Sequence, residues 1–305
     1  MDVPTRALKG RSFTRASDWS GDELRLVLDL ADELKRAQRE RREHRLLPGR
    51  SLGMIFQKPS TRTRVSFEVG IAQLGGFGLH LAAGELQLGR GETIRDTATV
   101  LSRYLDAIMI RTFAQRDVDE LAEHATIPVI NGLTDATHPC QALADAMTIR
   151  ERLGRIEGVR VAYVGDGNNV LHSLAAACNR LGASVVAATP EGYEPDADEV
   201  ARAGGIELVR DPREAVAGAD VVYTDVWTSM GQEEERERRL RDFEGFRVDD
   251  ELLRHAPDAI VLHCLPAHYG EEITEAVLYG PRSAVWDEAE NRLHAQKALL
   301  ALLVR

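Results

Sequence analysis

The sequence predicts an α/β fold with two doubly wound parallel-sheet domains joined by interdomain helices. Two series of short apolar segments alternate with segments of helical period, as is typical of parallel strands covered by helices. A long helical segment, Gln141–Leu153, separates the two series, and another, Ala289–Leu303, closes the chain. We therefore expect a domain over 1–141 and another over 142–288, with the C-terminal helix 289–305 packed back on the first.

The first domain is expected to begin with an amphipathic helix. Residues 20–23 have the sequence of a capping box, and apolar residues then recur at helical spacing. The charged run that follows, Lys35 to Arg45, is interpreted as a solvated face. Strands are predicted at Ser51–Phe56, Phe77–Leu81, Ala107–Arg111 and Ile127–Ile130. Helices are predicted between them, after Pro59, at Thr93–Leu105 and at Val118–His124.

The second domain repeats the alternation of strands and helices. A helix is predicted at Leu171–Leu181, and the densest block of charge, Gln232–Arg241, is expected to be an exposed helix or a mobile loop. Strands are predicted at Val159–Val164, Ser184–Thr189, Ile206–Val209, Val221–Thr224, Ala259–Leu262 and Ala284–Trp286.

Composition excludes several classes of function. The 305 residues carry a net charge of −11, which disfavours binding to nucleic acid or to anionic membranes. Cys140, Cys178 and Cys264 fit neither a disulfide framework nor a metal-ligand pattern, so we expect a cytoplasmic protein. No signal peptide and no apolar segment of about 18 residues is recognisable.

The segment Ser60–Arg64 is the first candidate for chemistry. It lies between a predicted strand and a predicted helix, where hydroxyl groups, backbone N–H groups and the positive end of the helix dipole meet. Two arginines add bidentate recognition of phosphate. The segment fits a phosphate site, although an ordinary helix N-cap with exposed arginines explains it equally well.

Polar residues follow other predicted strands, at the carboxyl edge where α/β proteins bind ligands. His138 could donate to a carbonyl oxygen and Gln141 could recognise an amide, but a capped helix start explains them too. Residues 165–170 match only part of a dinucleotide fingerprint, because Val170 stands where the third glycine belongs. Asn168 and Asn169 in this turn could bind a carboxylate.

Asp225 and the pair His263-Cys264 also follow predicted strands. Asp225 supplies a negative charge at a strand end. Cys264 is either a small buried apolar residue or a reactive thiol tuned by His263 or Asp225. Neither segment decides the function alone.

Together, five segments identify a resemblance to the aspartate/ornithine carbamoyltransferase family, and specifically to its ornithine branch. They occur in the family's order from about residue 12 to the end of the chain. The segments are Ser-Thr-Arg-Thr-Arg at 60–64, His-Pro-Cys-Gln at 138–141, Asp-Gly-Asn-Asn at 166–169, Asp225 with Ser-Met-Gly at 229–231, and His-Cys-Leu-Pro at 263–266. The last two are the ornithine-type motifs, and they carry the choice of substrate.

The resemblance implies a residue set for carbamoyl phosphate. Arg111 would contact phosphate and carbonyl oxygen, His138 would polarise the carbonyl, and the Leu265 carbonyl would lie beside the carbamoyl NH₂. Gln87 would come from a loop that approaches a neighbouring subunit, which implies a homotrimer or a multiple of trimers. The full set is Ser60, Thr61, Arg62, Thr63, Gln87, Arg111, His138, Gln141, Leu265 and Arg292.

The resemblance also implies how ornithine is held. Asn169 and the Met230 backbone would bind its carboxylate, Asp225 and Ser229 its α-ammonium, and Cys264 would lie beside the attacking amine. Catalysis would rest on Cys264, Arg111 and His138, with no metal and no cofactor. One departure is Gln57, where the family commonly has Glu.

The expected reaction is transfer of a carbamoyl group from carbamoyl phosphate to the side-chain amine of ornithine, in arginine metabolism. The same groups serve arginine biosynthesis and arginine breakdown, so the sequence leaves both directions open. A carbamoyltransferase acting on putrescine or an acylated ornithine is the nearest alternative. An NAD-dependent oxidoreductase built on the turn at Gly165 is another, although the third glycine is missing. A non-catalytic regulatory paralogue is the third.

Overall fold

The chain divides into two compact units, each built on one parallel sheet. The first unit runs to Met147 and takes in the C-terminal segment from Asn291, and the second is Thr148–Glu290. A computed structural model describes residues 8–82, 84, 86, 91–228 and 233–304. Each boundary between units falls within a helix. The α/β fold with two parallel sheets joined by helices is confirmed.

The first unit contains a four-stranded parallel sheet. Its spatial order is β2-β1-β3-β4, so the chain extends the sheet on one side of β1 and then returns to the other. Phe56 at the end of β1 pairs with Arg111 at the end of β3. The strands are β1 Ser51–Phe56, β2 Phe77–Ala82, β3 Ala107–Arg111 and β4 Val129–Leu133.

The second unit contains a five-stranded parallel sheet. Its order is β7-β6-β5-β8-β9, so the same reversal occurs between β5 and β8. Val164 at the end of β5 pairs with Thr224 at the end of β8. The strands are β5 Arg160–Val164, β6 Ser184–Ala188, β7 Glu207–Val209, β8 Val221–Thr224 and β9 Ile260–His263.

Helices connect the strands. They are α1 Gly21–Arg39, α2 Thr61–Gln73, α3 Ile94–Leu101, α4 Gln115–His124, α5 Pro139–Leu153, α6 Asn169–Arg180, α7 Ala197–Ala203, α8 Pro212–Val216, α9 Arg236–Asp242, α10 Glu275–Leu278 and α11 Val285–Val304. Short 3₁₀ segments occur at 16–18, 233–235 and 252–255. Within the described residues, no helix combines the length and the apolar composition needed to cross a membrane.

Local sequence signals locate most of these elements. The capping box at Ser20 is present, since its side chain accepts from the Glu23 backbone N–H and the Glu23 side chain accepts from the Ser20 N–H. The strand predicted at Ala284–Trp286 is wrong: Val285 begins α11, and the Glu288 N–H donates to the Ala284 carbonyl at 2.9 Å. Three apolar residues are too few to show a helical or a strand period, so the sequence does not distinguish the start of a helix from a short strand here.

The expectation of a solvated face on the first helix is wrong at Lys35, which is buried. Its ammonium donates to the Asn291 side-chain oxygen at 2.7 Å. Lys297 is buried as well and donates to the side-chain oxygens of Gln38 and Gln73, both at 2.8 Å, while burial lowers its pKa to about 8. These bonds tie α11 to α1 and α2, so this part of α11 is held to two helices of the first unit.

Candidate active site

Both candidate sites lie where the strand order of a parallel sheet reverses. Loops that leave neighbouring strands in opposite directions open a crevice at the carboxyl edge of the sheet, and ligands bind there. In the first unit this edge lies between β1 and β3, where residues 60–64 and Arg111 are found. In the second unit it lies between β5 and β8, where residues 166–169 and Asp225 are found.

The segment after β1 forms the N-terminus of α2. Ser60 is the N-cap, and its hydroxyl accepts from the Thr63 N–H at 3.2 Å. Thr61 is exposed, whereas Thr63 is buried. The two arginines differ: Arg62 is half-buried, but Arg64 is exposed and forms an ion pair with Glu68 at 3.3 Å. The backbone donors and one arginine therefore suit an anion.

Arg292 of α11 holds the first unit's site together. Its buried guanidinium donates to the Gln141 side-chain oxygen at 2.7 Å and to the Thr63 hydroxyl at 3.1 Å. With its amide oxygen facing the guanidinium, Gln296 accepts from the Nε and Nη2 of Arg292 at 3.1 Å and donates to Ser66 at 2.6 Å. Three helices that are distant in sequence are therefore joined by one planar donor group.

His138 lies in a strongly cationic environment. It is buried at the start of α5, and burial, followed by the charges of Arg292, Arg111 and Arg62, holds its pKa well below the usual value. The imidazole is therefore neutral at physiological pH. A neutral imidazole can still donate one hydrogen bond to a carbonyl oxygen. The structure thus brings together the phosphate-binding and carbonyl-binding candidates of the first unit.

A buried network fixes the loop that precedes His138. The Gln115 side-chain oxygen accepts from the hydroxyls of Thr134 and Thr137, both at 2.7 Å, and Asn131 donates to the Thr137 hydroxyl at 2.9 Å. All four side chains are buried. No sequence pattern singles out Gln115, because it lies at the start of α4 and meets the loop only in the folded chain.

Other residues of this edge have structural roles. Gln141 donates its amide to Asp145 at 2.8 Å, which fixes the direction of its oxygen. Cys140 is buried, its thiol donates to a backbone carbonyl at 3.3 Å, and burial raises its pKa to about 12. The oxygen of Gln57 accepts from the Thr112 hydroxyl, a bond that a Glu carboxylate could also accept.

The second unit's site begins with Asn168, the N-cap of α6. Its oxygen accepts from the N–H groups of Val170 and Leu171 at 2.9 and 3.3 Å, and its amide donates to Asp225 at 2.8 Å. Asn168 is therefore fully engaged as a structural cap. The next residue, Asn169, is half-buried and lies in the first turn of the helix.

The partial dinucleotide fingerprint has a structural explanation. A side chain at Gly167 would meet the backbone of residues 193–195, with the Pro195 nitrogen only 2.2 Å from a Cβ atom. The Gly167 N–H also donates to the Tyr193 carbonyl at 2.9 Å. In a dinucleotide-binding site the second glycine lets the backbone approach the pyrophosphate closely. Here the backbone of residues 193–195 packs against Gly167 instead. This packing argues against the oxidoreductase alternative.

Cys264 forms a hydrogen bond with Asp225. Its partly exposed thiol donates to Asp225 at 3.0 Å. Both ring nitrogens of His263 are engaged elsewhere, since Nδ1 accepts from the Leu265 N–H at 2.9 Å and Nε2 lies 3.0 Å from Glu272. Leu265 has a positive φ of 58°, a strained conformation that occurs often at functional sites.

The expectation that the charged block Gln232–Arg241 is exposed is wrong at Arg239. It lies in α9, but it is buried and donates to Asp166 at 2.9 Å, to the Trp227 carbonyl at 2.8 Å and to Glu235 at 3.2 Å. Its guanidinium also lies 4.9 Å from the centre of the Tyr193 ring. Burial raises the pKa of Asp166 to about 6, although Arg239 opposes the shift. Arg239 therefore anchors the segment after β8.

Three predicted site residues cannot be placed. Gln87, Ser229 and Met230 lie outside the described residues. The remaining predicted residues of each unit gather at the carboxyl edge of that unit's sheet, apart from Arg292, which α11 supplies to the first edge.

Comparisons with known proteins identify the family to which the chain is similar. A family model described as "Aspartate/ornithine carbamoyltransferase, carbamoyl-P binding domain" matches residues 11–151, and one described as "Aspartate/ornithine carbamoyltransferase, Asp/Orn binding domain" matches 157–303. The ornithine carbamoyltransferase of Pyrococcus abyssi is 59% identical over 307 residues, covering 98% of this chain and 97% of its own. A Pyrococcus furiosus relative named "Ornithine carbamoyltransferase, anabolic" is 58% identical, covering 98% of each.

Solved structures are similar to this chain over nearly its whole length. The ornithine carbamoyltransferase structure from Pyrococcus furiosus aligns with a TM-score of 0.94 and 57% identity, covering 97% of each chain. That from Thermus thermophilus aligns with a TM-score of 0.88 and 46% identity, covering 96% of this chain and 99% of its own.

The environment of His138 predicts an imidazole that stays neutral as the pH falls through the range where a free histidine protonates, because burial and three arginines lower its pKa. An unfolded histidine takes up its proton near pH ~6.5 while the folded residue stays neutral, so the free energy of unfolding falls progressively as the pH drops below that value. Imidazole ¹⁵N NMR should show no titration of His138, with His138→Gln used to assign its signals. A midpoint near pH ~6.5 would contradict the prediction.

Proposed function

The chain belongs to the aspartate/ornithine carbamoyltransferase family, and from that membership we infer that it transfers the carbamoyl group of carbamoyl phosphate to the side-chain amine of ornithine. The products are citrulline and phosphate. The observation that carries this function is the high identity, along nearly the whole chain, to relatives named ornithine carbamoyltransferase.

The first unit is proposed to bind carbamoyl phosphate. Ser60, Thr61, Arg62 and Thr63 would hold the phosphate at the N-terminus of α2, where backbone donors and the helix dipole favour an anion. The match of residues 11–151 to a carbamoyl-phosphate-binding family model supports this assignment. The protein's net charge of −11 does not oppose it, because the local charge around His138 is positive.

The carbamoyl end of the substrate is proposed to contact Arg111, His138 and Gln141. Negative charge grows on the carbonyl oxygen as the amine attacks, and Arg111 with neutral His138 would stabilise it as oxyanion donors do. The Gln141 oxygen, directed by Arg292, would accept from the carbamoyl NH₂. Arg292 would therefore act both as a substrate contact and as a support for Gln141.

The second unit is proposed to bind ornithine. Asp225 would pair with the α-ammonium, and Asn169 would bind the carboxylate at the start of α6. Cys264 would lie beside the reacting amine, and Ser229 and Met230 are proposed from the family motif alone. The match of residues 157–303 to an aspartate/ornithine-binding family model supports the assignment.

The proposed mechanism is direct attack. The neutral side-chain amine forms a bond to the carbamoyl carbon, and the tetrahedral intermediate loses phosphate as the C–O bond breaks. The departing phosphate takes up the proton that the nitrogen releases. The thiol of Cys264 donates to Asp225 and so offers no anion to the side-chain ammonium.

We further propose that the enzyme works in the cytoplasm, in arginine biosynthesis. The relative named as anabolic supports the biosynthetic direction. The alternative amines, putrescine and acylated ornithine, are not named for any of the relatives compared above, and putrescine has no α-amino acid group for Asp225 and Asn169 to bind.

An assay of carbamoyl transfer to a panel of amines tests the proposed function. Purified protein with carbamoyl phosphate and ornithine should form citrulline, whereas putrescine and N-acetylornithine should give under about a hundredth of that rate, because a lost charge-assisted contact weakens binding roughly 10- to 100-fold. Equal rates with putrescine would reject ornithine as the substrate.

Arg62→Ala should weaken carbamoyl phosphate binding about 10- to 100-fold, since an arginine–phosphate contact contributes roughly 1.5–3 kcal/mol. Arg64→Ala is the matched control, because Arg64 is two residues away but pairs with Glu68 at the surface. Calorimetric titration measures both. Equal losses in the two variants would mean that Arg62 acts only through net charge.

Arg239→Ala should raise the KM for ornithine about 10-fold or more, because the anchor of the segment after β8 is lost along with several charge-assisted hydrogen bonds. Carbamoyl phosphate affinity should stay unchanged. Arg238→Ala is the control, since Arg238 is exposed and contacts the same Glu235 at 3.1 Å. A normal KM in Arg239→Ala would show that the anchor does not support ornithine binding.

We also propose a homotrimer or a multiple of trimers. Within the described residues, the edge strand β2 of the first unit exposes Phe77 and Leu79 to 50% and 44%, and α2 exposes Val65 and Val69. An uncovered apolar sheet edge of this kind is typical of a subunit interface. If a neighbour's Gln87 completes each site, only an assembly is active.

Mixing two inactive variants tests the assembly. Gln87→Ala and Cys264→Ala place their defects in different regions of the chain, so mixed trimers should recover a fraction of wild-type activity that neither variant has alone. Light scattering should give a mass of three chains or a multiple. A fully active monomer would refute the proposal.

A further inference from the structure

A second group of polar side chains lies beyond the residues assigned to the reaction. His268, Glu271 and Glu272 follow β9, and one ligand-type atom of each lies within 4.8 Å of the others. The His268 Nδ1 atom is 4.0 Å from an oxygen of Glu271 and 4.0 Å from an oxygen of Glu272. Those separations are too long for hydrogen bonds.

The two carboxylates present buried oxygens to this space. The Glu272 side chain is 0% exposed, and its Oε2 accepts no hydrogen bond from the residues that the structure describes. The same holds for Oε2 of Glu271. The other oxygens are used: Glu272 Oε1 accepts from the His268 N–H at 2.6 Å and lies 3.0 Å from His263, while Glu271 Oε1 pairs with Arg236.

Two buried carboxylate oxygens aimed at the same space repel each other unless a cation lies between them. Arg236 neutralises one charge but approaches the far oxygen of Glu271. The third group, His268, offers an imidazole nitrogen. Two carboxylates with one imidazole form a donor set that first-row divalent ions accept.

We propose that His268, Glu271 and Glu272 bind a divalent first-row transition metal ion. Ligand atoms about 2.1 Å from such an ion lie roughly 3.4 Å apart in a tetrahedral arrangement. The His268 nitrogen lies 4.0 Å from each carboxylate oxygen, so it needs to move inward only slightly. His268 can make that movement, because its side chain is 44% exposed. Water would complete the coordination.

The proposed ion would stabilise the segment that carries Cys264. Glu272 joins the ion site to His263, and His263 accepts from the Leu265 N–H at 2.9 Å. The ion therefore acts at a distance from the reacting atoms, and the proposed carbamoyl transfer does not depend on it. Asp225, His263 and Cys264 also come within ligand distance of one another, but that group belongs to the substrate site.

Manganese is the suitable probe, because Mn²⁺ favours carboxylate and water ligands while a thiolate site prefers softer ions. Chelator-treated full-length protein is titrated with Mn²⁺ at pH 7.5, and the free ion is followed by electron paramagnetic resonance. One Mn²⁺ should bind per chain, and the melting temperature should rise with Mn²⁺ concentration. Binding should weaken at least 10-fold in His268→Ala and in Glu271→Gln.

Matched control variants show whether a loss of Mn²⁺ binding comes from the proposed site or from a change in the protein's overall charge. His255→Ala and Glu244→Gln change exposed residues of the same unit and should bind Mn²⁺ as the unaltered chain does. Absence of binding at millimolar Mn²⁺, or equal binding by His268→Ala, would overturn the proposal. So would loss of binding in Cys264→Ser alone, which would place the ion at the Asp225 group.

Discussion

The reversal of strand order in each parallel sheet is the constraint on which both sites depend. Parallel strands end at one edge, and where the order reverses the following loops separate and leave a crevice. In the first unit this crevice lies between β1 and β3, and in the second between β5 and β8. The strand order thus determines which loops lie next to each other, and so which side chains from those loops can meet.

Charge is distributed oppositely at the two edges. The first unit places Arg62, Arg111 and Arg292 near a buried neutral His138, while the second places Asp166 and Asp225 at a strand edge. A single net charge of −11 conceals this difference. An anionic substrate and a cationic one can therefore each find a complementary site on the same acidic protein.

Buried hydrogen bonds hold these charged groups in place. Gln115 fixes the loop before His138, Gln296 directs Arg292, and Arg239 holds the segment after β8. Gln115 comes from α4 and Arg239 from α9, whereas Gln296 lies one turn after Arg292 on α11 itself. Groups that are oriented before a substrate binds need little reorganisation as charge develops during the reaction.

The sequence by itself determined the α/β class, most strand and helix positions and the residues at the carboxyl edges, because these depend on local periodicity, capping and motif order. Only the tertiary structure decided that Lys35 and Arg239 are buried, that Gly167 packs against backbone, and that Ala284–Trp286 opens a helix. The burial of Lys35 and Arg239 and the packing of Gly167 depend on neighbours far along the chain. The helix start at 284–286 was missed because an apolar triplet shows no helical period. A charged or apolar residue looks the same in sequence whether such a neighbour is present or not.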